Sequence, residues 1–163
     1  MSGATASPQG EVRPLEAADL DRMIAIDQDH TGRARRRLFE KRLAAAAAHP
    51  DDFIHVGLAQ NGKLVGFAFA RVLHGEFGRA QDVAALDLVG VESASEHHGV
   101  GHALMQGLTE MMKNRGVKLL HSQTDWTNHG LVRFFASSGF ALAPRLLLER
   151  SVAEPLFEPS EDV

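Results

Sequence analysis

The stretch "LDLVGVESASEHHGVGHALMQGL" leaves this chain few ways to fold. A mostly apolar run, "DVAALDLVGV", ends at Val91, and eight residues later Gly99-Val100-Gly101 heads a second segment. In that segment Leu104, Leu108, Met111 and Met112 repeat at helical spacing, and Gly116 is a plausible stop. A strand apolar along both faces sits inside a sheet that helices cover. The strand-loop-helix unit also creates a place for an anion. The first turn of a helix has backbone N–H groups without partners and carries the positive end of the dipole, and glycines let a ligand approach the chain closely. A plain strand-to-helix turn has the same pattern. It is not a dinucleotide fingerprint, because Leu104 stands where the third glycine is needed, and no Gly-Lys-Ser/Thr of a phosphate loop occurs.

The rest of the chain reads around that unit. "EVRPL" is a short first strand, and "AADLDRMIAIDQD" an amphipathic helix with Leu20, Met23, Ile24 and Asp27 on one stripe. "TGRARRRLFEKRLAAAAA" is a second helix, from near Thr31 to before Pro50. "DFIHVGLAQ" and "KLVGFAFARVL" flank Asn61-Gly62, the two positive-φ residues of a tight hairpin turn. "VKLLHSQT" is a strand, "NHGLVRFFASS" a short helix stopped by Gly139, and "FALAPRLLLERS" a last strand with Pro144 at a bulge or edge. The order is β-α-α-β-β-β-α-β-α-β. It predicts a single α/β (α+β) domain over residues 11–150, with a central mixed twisted sheet of six to seven strands and helices on both faces. Residues 1–10 read as a flexible tail and residues 151–163 as a polar, Pro-containing tail.

Composition narrows the chemistry. The 163 residues contain no cysteine, which excludes disulfides, thiolate catalysis and cysteine-ligated metals. The formal net charge of -4 gives no bulk attraction to nucleic acid or anionic membrane, and no apolar run approaches the roughly 18 residues of a membrane span. The first ten residues lack the pattern of a secretory signal, so a cytoplasmic location is expected by default. No metal site is read at the adjacent His97 and His98.

Gly99-x-Gly101-His102-Ala103-Leu104 after a strand resembles the acyl-CoA-binding motif of the GCN5-related N-acetyltransferases, Gln/Arg-x-x-Gly-x-Gly/Ala. "TDWTNHGLVRFFASSGF" resembles the same family's second signature: a strand, an asparagine, then a short helix ending in Gly-Phe. Both motifs fall in the family's order, and the likeness spans about residues 11–150. It implies an N-acetyltransferase that moves an acetyl group directly from acetyl-CoA, as co-substrate, to a primary amine within a ternary complex. The acceptor would be a small molecule or a peptide. It implies that the pyrophosphate lies on the loop at His98, Gly99, Val100, Gly101, His102 and Ala103. The pantetheine arm would pair near Leu88, Val89 and Val91, in a split between that strand and the next, and Asn128 would contact it or merely cap the following helix. Dimers are common in the family, and no stretch here specifies one. A domain that binds acyl-CoA without transferring it, or one that uses a longer acyl group, keeps the same motifs.

Two departures from the family pattern bear on mechanism. Glu96 stands where the family prefers Gln or Arg, so its carboxylate must turn outward or pair with a neighbour; His97, His98 and His102 surround it in sequence. Phe135 stands at the position of a tyrosine that is often the general acid, so it is read as a packing residue. Water, Ser137, Ser138 or His129 would then supply the proton. Asp87, on the central strand, is the candidate base, or else a structural carboxylate paired with an arginine; Glu92, His74, Glu76 and His121 are weaker candidates. Arg33 and Arg37 lie four apart at the head of the second helix and would grip an anionic group on the acceptor, with His74 and Glu76 bordering it; Arg36 and Glu40 make an ordinary helix pair.

Overall fold

In the computed structural model the described residues are 10–75, 78 and 80–153, so Glu76 and nearly all of both expected tails lie outside them. Along the chain come β1 (Glu11–Arg13), α1 (Leu20–Thr31), α2 (Arg36–Ala48), β2 (Phe53–Gln60), β3 (Lys63–Leu73), β4 (Val83–Val91), α3 (Val100–Asn114), β5 (Leu120–His121) and α4 (His129–Ser137). The strands form one mixed sheet in the order β1-β2-β3-β4-β5. It is antiparallel from β1 to β4, and β5 runs parallel to β4. Among the described residues no helix is long and apolar enough to cross a membrane.

The alternation of side chains along β3 decides which helices lie on which face. Phe67 and Phe69 project into a cluster with Met23 and Ile26 of α1 and Phe39 of α2, where Phe39 meets Phe67 edge to face at 5.6 Å. Ala68, Ala70 and Val72 project the other way, with Leu104 and Leu108 of α3 and Phe135 of α4. Large residues on one face and small ones on the other let α3 come close to the sheet. One close approach is at Gly66, where a Cβ would stand 2.8 Å from Val100 Cγ1 and 3.0 Å from Leu104 Cδ1. Each fully buried leucine or phenylalanine here contributes about 1.5–3 kcal/mol relative to exposure.

Asn61 and Gly62 have φ of 52° and 76°, the two-residue turn that their sequence demands. Gly116, at φ 72°, ends α3 as expected. The second helix begins later than expected. Gly32, at φ 70°, caps α1 by donating its N–H to the Gln28 carbonyl at 2.8 Å, so Thr31 closes the first helix and α2 starts at Arg36. The glycine was the stop signal, and the run of arginines masked it.

The sheet has five strands among the described residues, not six to seven. "VKLLHSQT" contributes only Leu120 and His121. The expected last strand, residues 140–151, is irregular. A two-residue neighbour offers almost no ladder, and Pro144 has no N–H to give. Leu142, Leu146, Leu147 and Leu148 are exposed in that segment.

His55 of β2 meets the segment between β1 and α1. Its Nδ1 accepts a hydrogen bond from the Leu15 N–H at 3.1 Å, and its ring stacks on Phe69 at 5.3 Å. Burial, helped by the charge of Arg115, lowers its pKa from 6.5. A depressed folded value means that His55 stabilises the fold above the unfolded pKa, and that this contribution is lost as pH falls through the folded one. His55→Gln keeps an acceptor for Leu15 without the titration. Its melting temperature is expected to fall less than that of wild type between about pH 7.5 and pH 5, a range that brackets ordinary histidine titration. Identical slopes in a pH series of thermal melts would contradict this.

Candidate functional site

The last four residues of β4 have β3 on one side and, among the described residues, no strand on the other. The β4–β5 ladder consists of Ala84 opposite Leu120 and Ala85 opposite His121, and Ser122 Oγ adds one more tie by donating to the Leu86 carbonyl at 3.1 Å. The register between β3 and β4 then slips. Ala70 opposes Leu86 and Phe69 opposes Leu88, which leaves Asp87 as the extra residue of a bulge. A bulge bends its strand and increases its twist. Beyond it β4 and β5 part company, and a wedge opens between them.

Peptide geometry decides what faces the wedge. The Glu92 N–H donates to the Val65 carbonyl of β3 at 2.8 Å. The C=O of the same trans peptide, that of Val91, therefore points away from β3. Strand alternation gives Val89 the same orientation and turns the backbone of Leu88 towards β3. Of the three residues expected to pair with an added strand, Val89 turns its N–H and C=O to the wedge; Val91 turns the same way, but its carbonyl is taken by His30 Nε2 at 2.7 Å, which leaves its N–H. The Leu88 side chain packs on the α1–α2 cluster instead.

At the end of β4 the chain folds tightly into α3. His97 and Gly99 both have left-handed backbones, φ 61° and 84°, and Gly99 is the N-cap. For a histidine this is an uncommon conformation. No side chain caps α3. The Ala103 N–H donates to the Gly99 carbonyl at 3.0 Å, so Ala103 begins the helical ladder, while Val100, Gly101 and His102 precede it. Phe134 of α4 lies against Gly101, where a Cβ would stand 2.7 Å from Cε2, and its ring meets His102 edge-on at 5.8 Å. Glycine at 101 thus lets α4 close on the first turn of α3. His97, His98 and His102 are exposed, and among the described residues no three His, Asp or Glu side chains gather as a metal site.

Glu96 does not pair with those histidines. Its carboxylate lies 3.5 Å from Nε2 of His30, in the last turn of α1, and the same nitrogen donates to the Val91 carbonyl at 2.7 Å. Sequence reading missed His30. Sixty-six residues separate it from Glu96, and its only local mark is a polar position after the apolar stripe of α1.

Asp87 is clamped. Arg71 Nε donates to Oδ2 at 2.5 Å, and Arg42 Nη2 of α2 lies 3.3 Å from the same oxygen. The arginines of the α1–α2 junction separate by role. Arg35 binds the buried carboxylate of Asp27, with Nε on Oδ2 at 2.8 Å, and Arg36 reaches Asp21 at 2.7 Å and Glu40 at 3.6 Å. Arg33 and Arg37 are exposed, and neither side chain has an ion-pair partner among the described residues. His74 is tied to Asp82 at 3.1 Å and Asp52 at 3.3 Å. Those two hydrogen bonds, the one to Asp82 first, raise its pKa. Glu92 is held by Lys63 and Arg22, each at 2.8 Å, and those bonds, led by the one from Lys63, lower its pKa. His121 is paired on β5 beside Ala85.

Phe135 is buried. Its ring packs against Phe140 at 4.8 Å and Phe134 at 5.7 Å. Asn128 caps α4, its Oδ1 accepting from the Leu131 N–H at 3.1 Å. Of the proton sources considered, the Ser137 hydroxyl donates to the Phe134 carbonyl, Ser138 Oγ is buried without a partner, and His129 is exposed in the first turn of α4.

Asp87→Ala takes the shared carboxylate from Arg42 and Arg71. We expect a loss of about 1–3 kcal/mol in chemical denaturation, the range for stranding a partly buried charged partner. A loss within error would show that the clamp adds nothing to stability.

Residues 19–140 match the family model for the acetyltransferase (GNAT) family. The ribosomal protein bS18-alanine N-acetyltransferase of Escherichia coli is 26% identical over 129 residues, 79% of each chain. Among solved structures, AAC(6')-Iy in complex with a bisubstrate analogue, CoA-S-monomethyl-acetylneamine, superposes with a TM-score of 0.70 at 19% identity, covering 88% of this chain and 98% of that one. Glucosamine-6-phosphate N-acetyltransferase from Arabidopsis thaliana gives a TM-score of 0.68 at 16% identity, with 88% and 99% covered.

Proposed function

The chain belongs to the acetyltransferase (GNAT) family, and from that membership we propose that it transfers an acetyl group from acetyl-CoA to a primary amine, directly and within a ternary complex. The observation that carries the reading is the wedge: a strand whose outer backbone is open at Val89 and at the Val91 N–H, leading into a helix whose N-cap, Gly99, has no side chain.

The residues present fit such a co-substrate. The N–H groups of Val100, Gly101 and His102 precede the α3 ladder and suit a pyrophosphate, together with the loop at His98 and Gly99. Ala103 contributes through the helix rather than through its own N–H, which Gly99 takes up. The backbone of Val89 and the N–H of Val91 suit the amide groups of a pantetheine arm, in the manner of an added strand. Asn128 spends its carbonyl on α4 and keeps its NH2 group for the arm. Acetyl-CoA supplies the acetyl group as a thioester. The Val89 N–H is the donor placed to polarise a carbonyl in the wedge.

An ammonium acceptor must lose a proton before it attacks. Asp87 borders the wedge, yet two guanidinium groups hold it. In this reading it orients water and the acceptor together with Arg42 and Arg71, and the proton leaves through that water. Arg33 and Arg37 are the cations available for an anionic group on the acceptor, with His74 further along the same side. Of the relatives named above, one is named for an alanine of a ribosomal protein and one for glucosamine 6-phosphate, and one is bound to an acetylneamine bisubstrate analogue. The acceptor proposed here is accordingly a small-molecule or peptide amine.

The test is in two stages. Calorimetry is expected to show one acetyl-CoA per chain, and thiol release is expected with at least one member of a panel of peptide N-termini, polyamines, amino acids and aminoglycosides. No binding heat would reject the reading. Binding without thiol release across the panel would favour a domain that binds acyl-CoA without transferring it.

Phe135 bears on the leaving thiolate. A thiol has an ordinary pKa near 8.5, so the departing sulfur tolerates a missing acid at neutral pH. Restoring the hydroxyl by Phe135→Tyr is expected to raise kcat by up to about 10²-fold if protonation limits turnover. An unchanged kcat in steady-state assays would assign position 135 to packing alone.

A further inference from the structure

Glu96 poses a problem for an anion site. A carboxylate three residues before the N-cap of α3 is drawn to the same unpartnered N–H groups that would receive a pyrophosphate. Left alone it has two ways to harm binding. It can fold onto the first turn of α3 and compete, or it can remain nearby and repel. Among the described residues its carboxylate makes no hydrogen bond to the first turn of α3, and it faces His30 at 3.5 Å.

His30 is itself pinned. Its Nε2–H donates to the Val91 carbonyl at 2.7 Å, which fixes that nitrogen between the end of β4 and Glu96. Gly32 then ends α1 two residues later, so the ring sits on the last turn of a helix anchored to the sheet through Met23 and Ile26. His30 and Glu96 are each 39% exposed, so the pair is modest in strength and its partners are free to change.

We propose that His30 is a positioning residue for the anion site: it draws the Glu96 carboxylate away from the first turn of α3 and so keeps those N–H groups open to the pyrophosphate of acetyl-CoA. The inference rests on the proposed function and concerns how this chain tolerates an acid where relatives carry an amide or a guanidinium. His30 touches no reacting atom. It acts through Glu96, and its effect should vanish when Glu96 carries no charge.

A double-mutant cycle measured by acetyl-CoA calorimetry tests this. His30→Ala is expected to weaken binding about two- to fivefold, the range for a partly exposed pair, with less loss at high salt. Glu96→Gln is expected to bind as tightly as wild type or tighter. The double variant His30→Ala/Glu96→Gln should match Glu96→Gln, since no carboxylate is left to restrain. His30→Gln, which keeps a donor for the Val91 carbonyl, controls for damage to the strand end. If wild type gives no binding heat, the anion-site reading itself fails. If wild type binds and His30→Ala is unchanged, or if its loss persists in the double variant, the role assigned to His30 is wrong and the anion site stands.

Discussion

The parallel ladder between β4 and β5 ends after Ala85, and the geometry of the site follows from that interruption. The bulge at Asp87 is its local cause. One extra residue reverses which peptide groups face β3, so the backbone of Val89 and Val91 turns to the open side, where a continuous ladder would have used it. The same extra residue brings the Asp87 carboxylate to the face that α2 covers, where Arg42 and Arg71 meet it. The wedge is also kept short of filler. α3 packs so close at Gly66 that its first turn stands at the wedge's end, and Phe134 closes on Gly101 from the other side. Both contacts depend on the lack of a side chain, which ties the placement of the first turn of α3 to two glycines far apart in sequence.

Much of this was legible beforehand, and the reason is local. Asn61-Gly62, the stripe of Leu104, Leu108 and Met112, and the Gly99–Gly101 start of α3 each encode their structure within a few residues, and each formed as read. The errors share a different origin. The second helix was started too early because four arginines drew attention from Gly32. The strand at residues 117–124 was overextended because an apolar run cannot show where its neighbour bends away. The segment at residues 140–151 has the composition of a strand, but strand formation needs a partner, and β5 supplies two residues. Pairing is a property of two segments, so it escapes a reading of one.

The charged groups divide along the same line. Arg36 with Glu40 was a helix-spacing pair and was found by spacing. Arg35 with Asp27, Asp87 with Arg42, and His30 with Glu96 join elements that meet only in the fold. Sorting them changes what the basic cluster means. Two of its four arginines are consumed in holding α1 to α2 or to themselves, and the surplus available to a ligand falls to Arg33 and Arg37. A cluster counted in sequence overstates the charge that a site can use.

The paired phenylalanines carry the last step. Phe134 and Phe135 are adjacent, so on a helix they differ by about 100° in direction. Phe134 takes the direction of α3's first turn and covers Gly101; Phe135 takes the direction of the core and packs at a tilt against Phe140. A hydroxyl at position 135 would need a polar partner at the edge of that core, and an unsatisfied one is costly. Phenylalanine removes that demand and gives α4 a firmer seat under the wedge. In the proposed reaction position 135 thus gives packing in place of a proton donor, and a departing thiol, with an ordinary pKa near 8.5, tolerates that exchange near neutral pH.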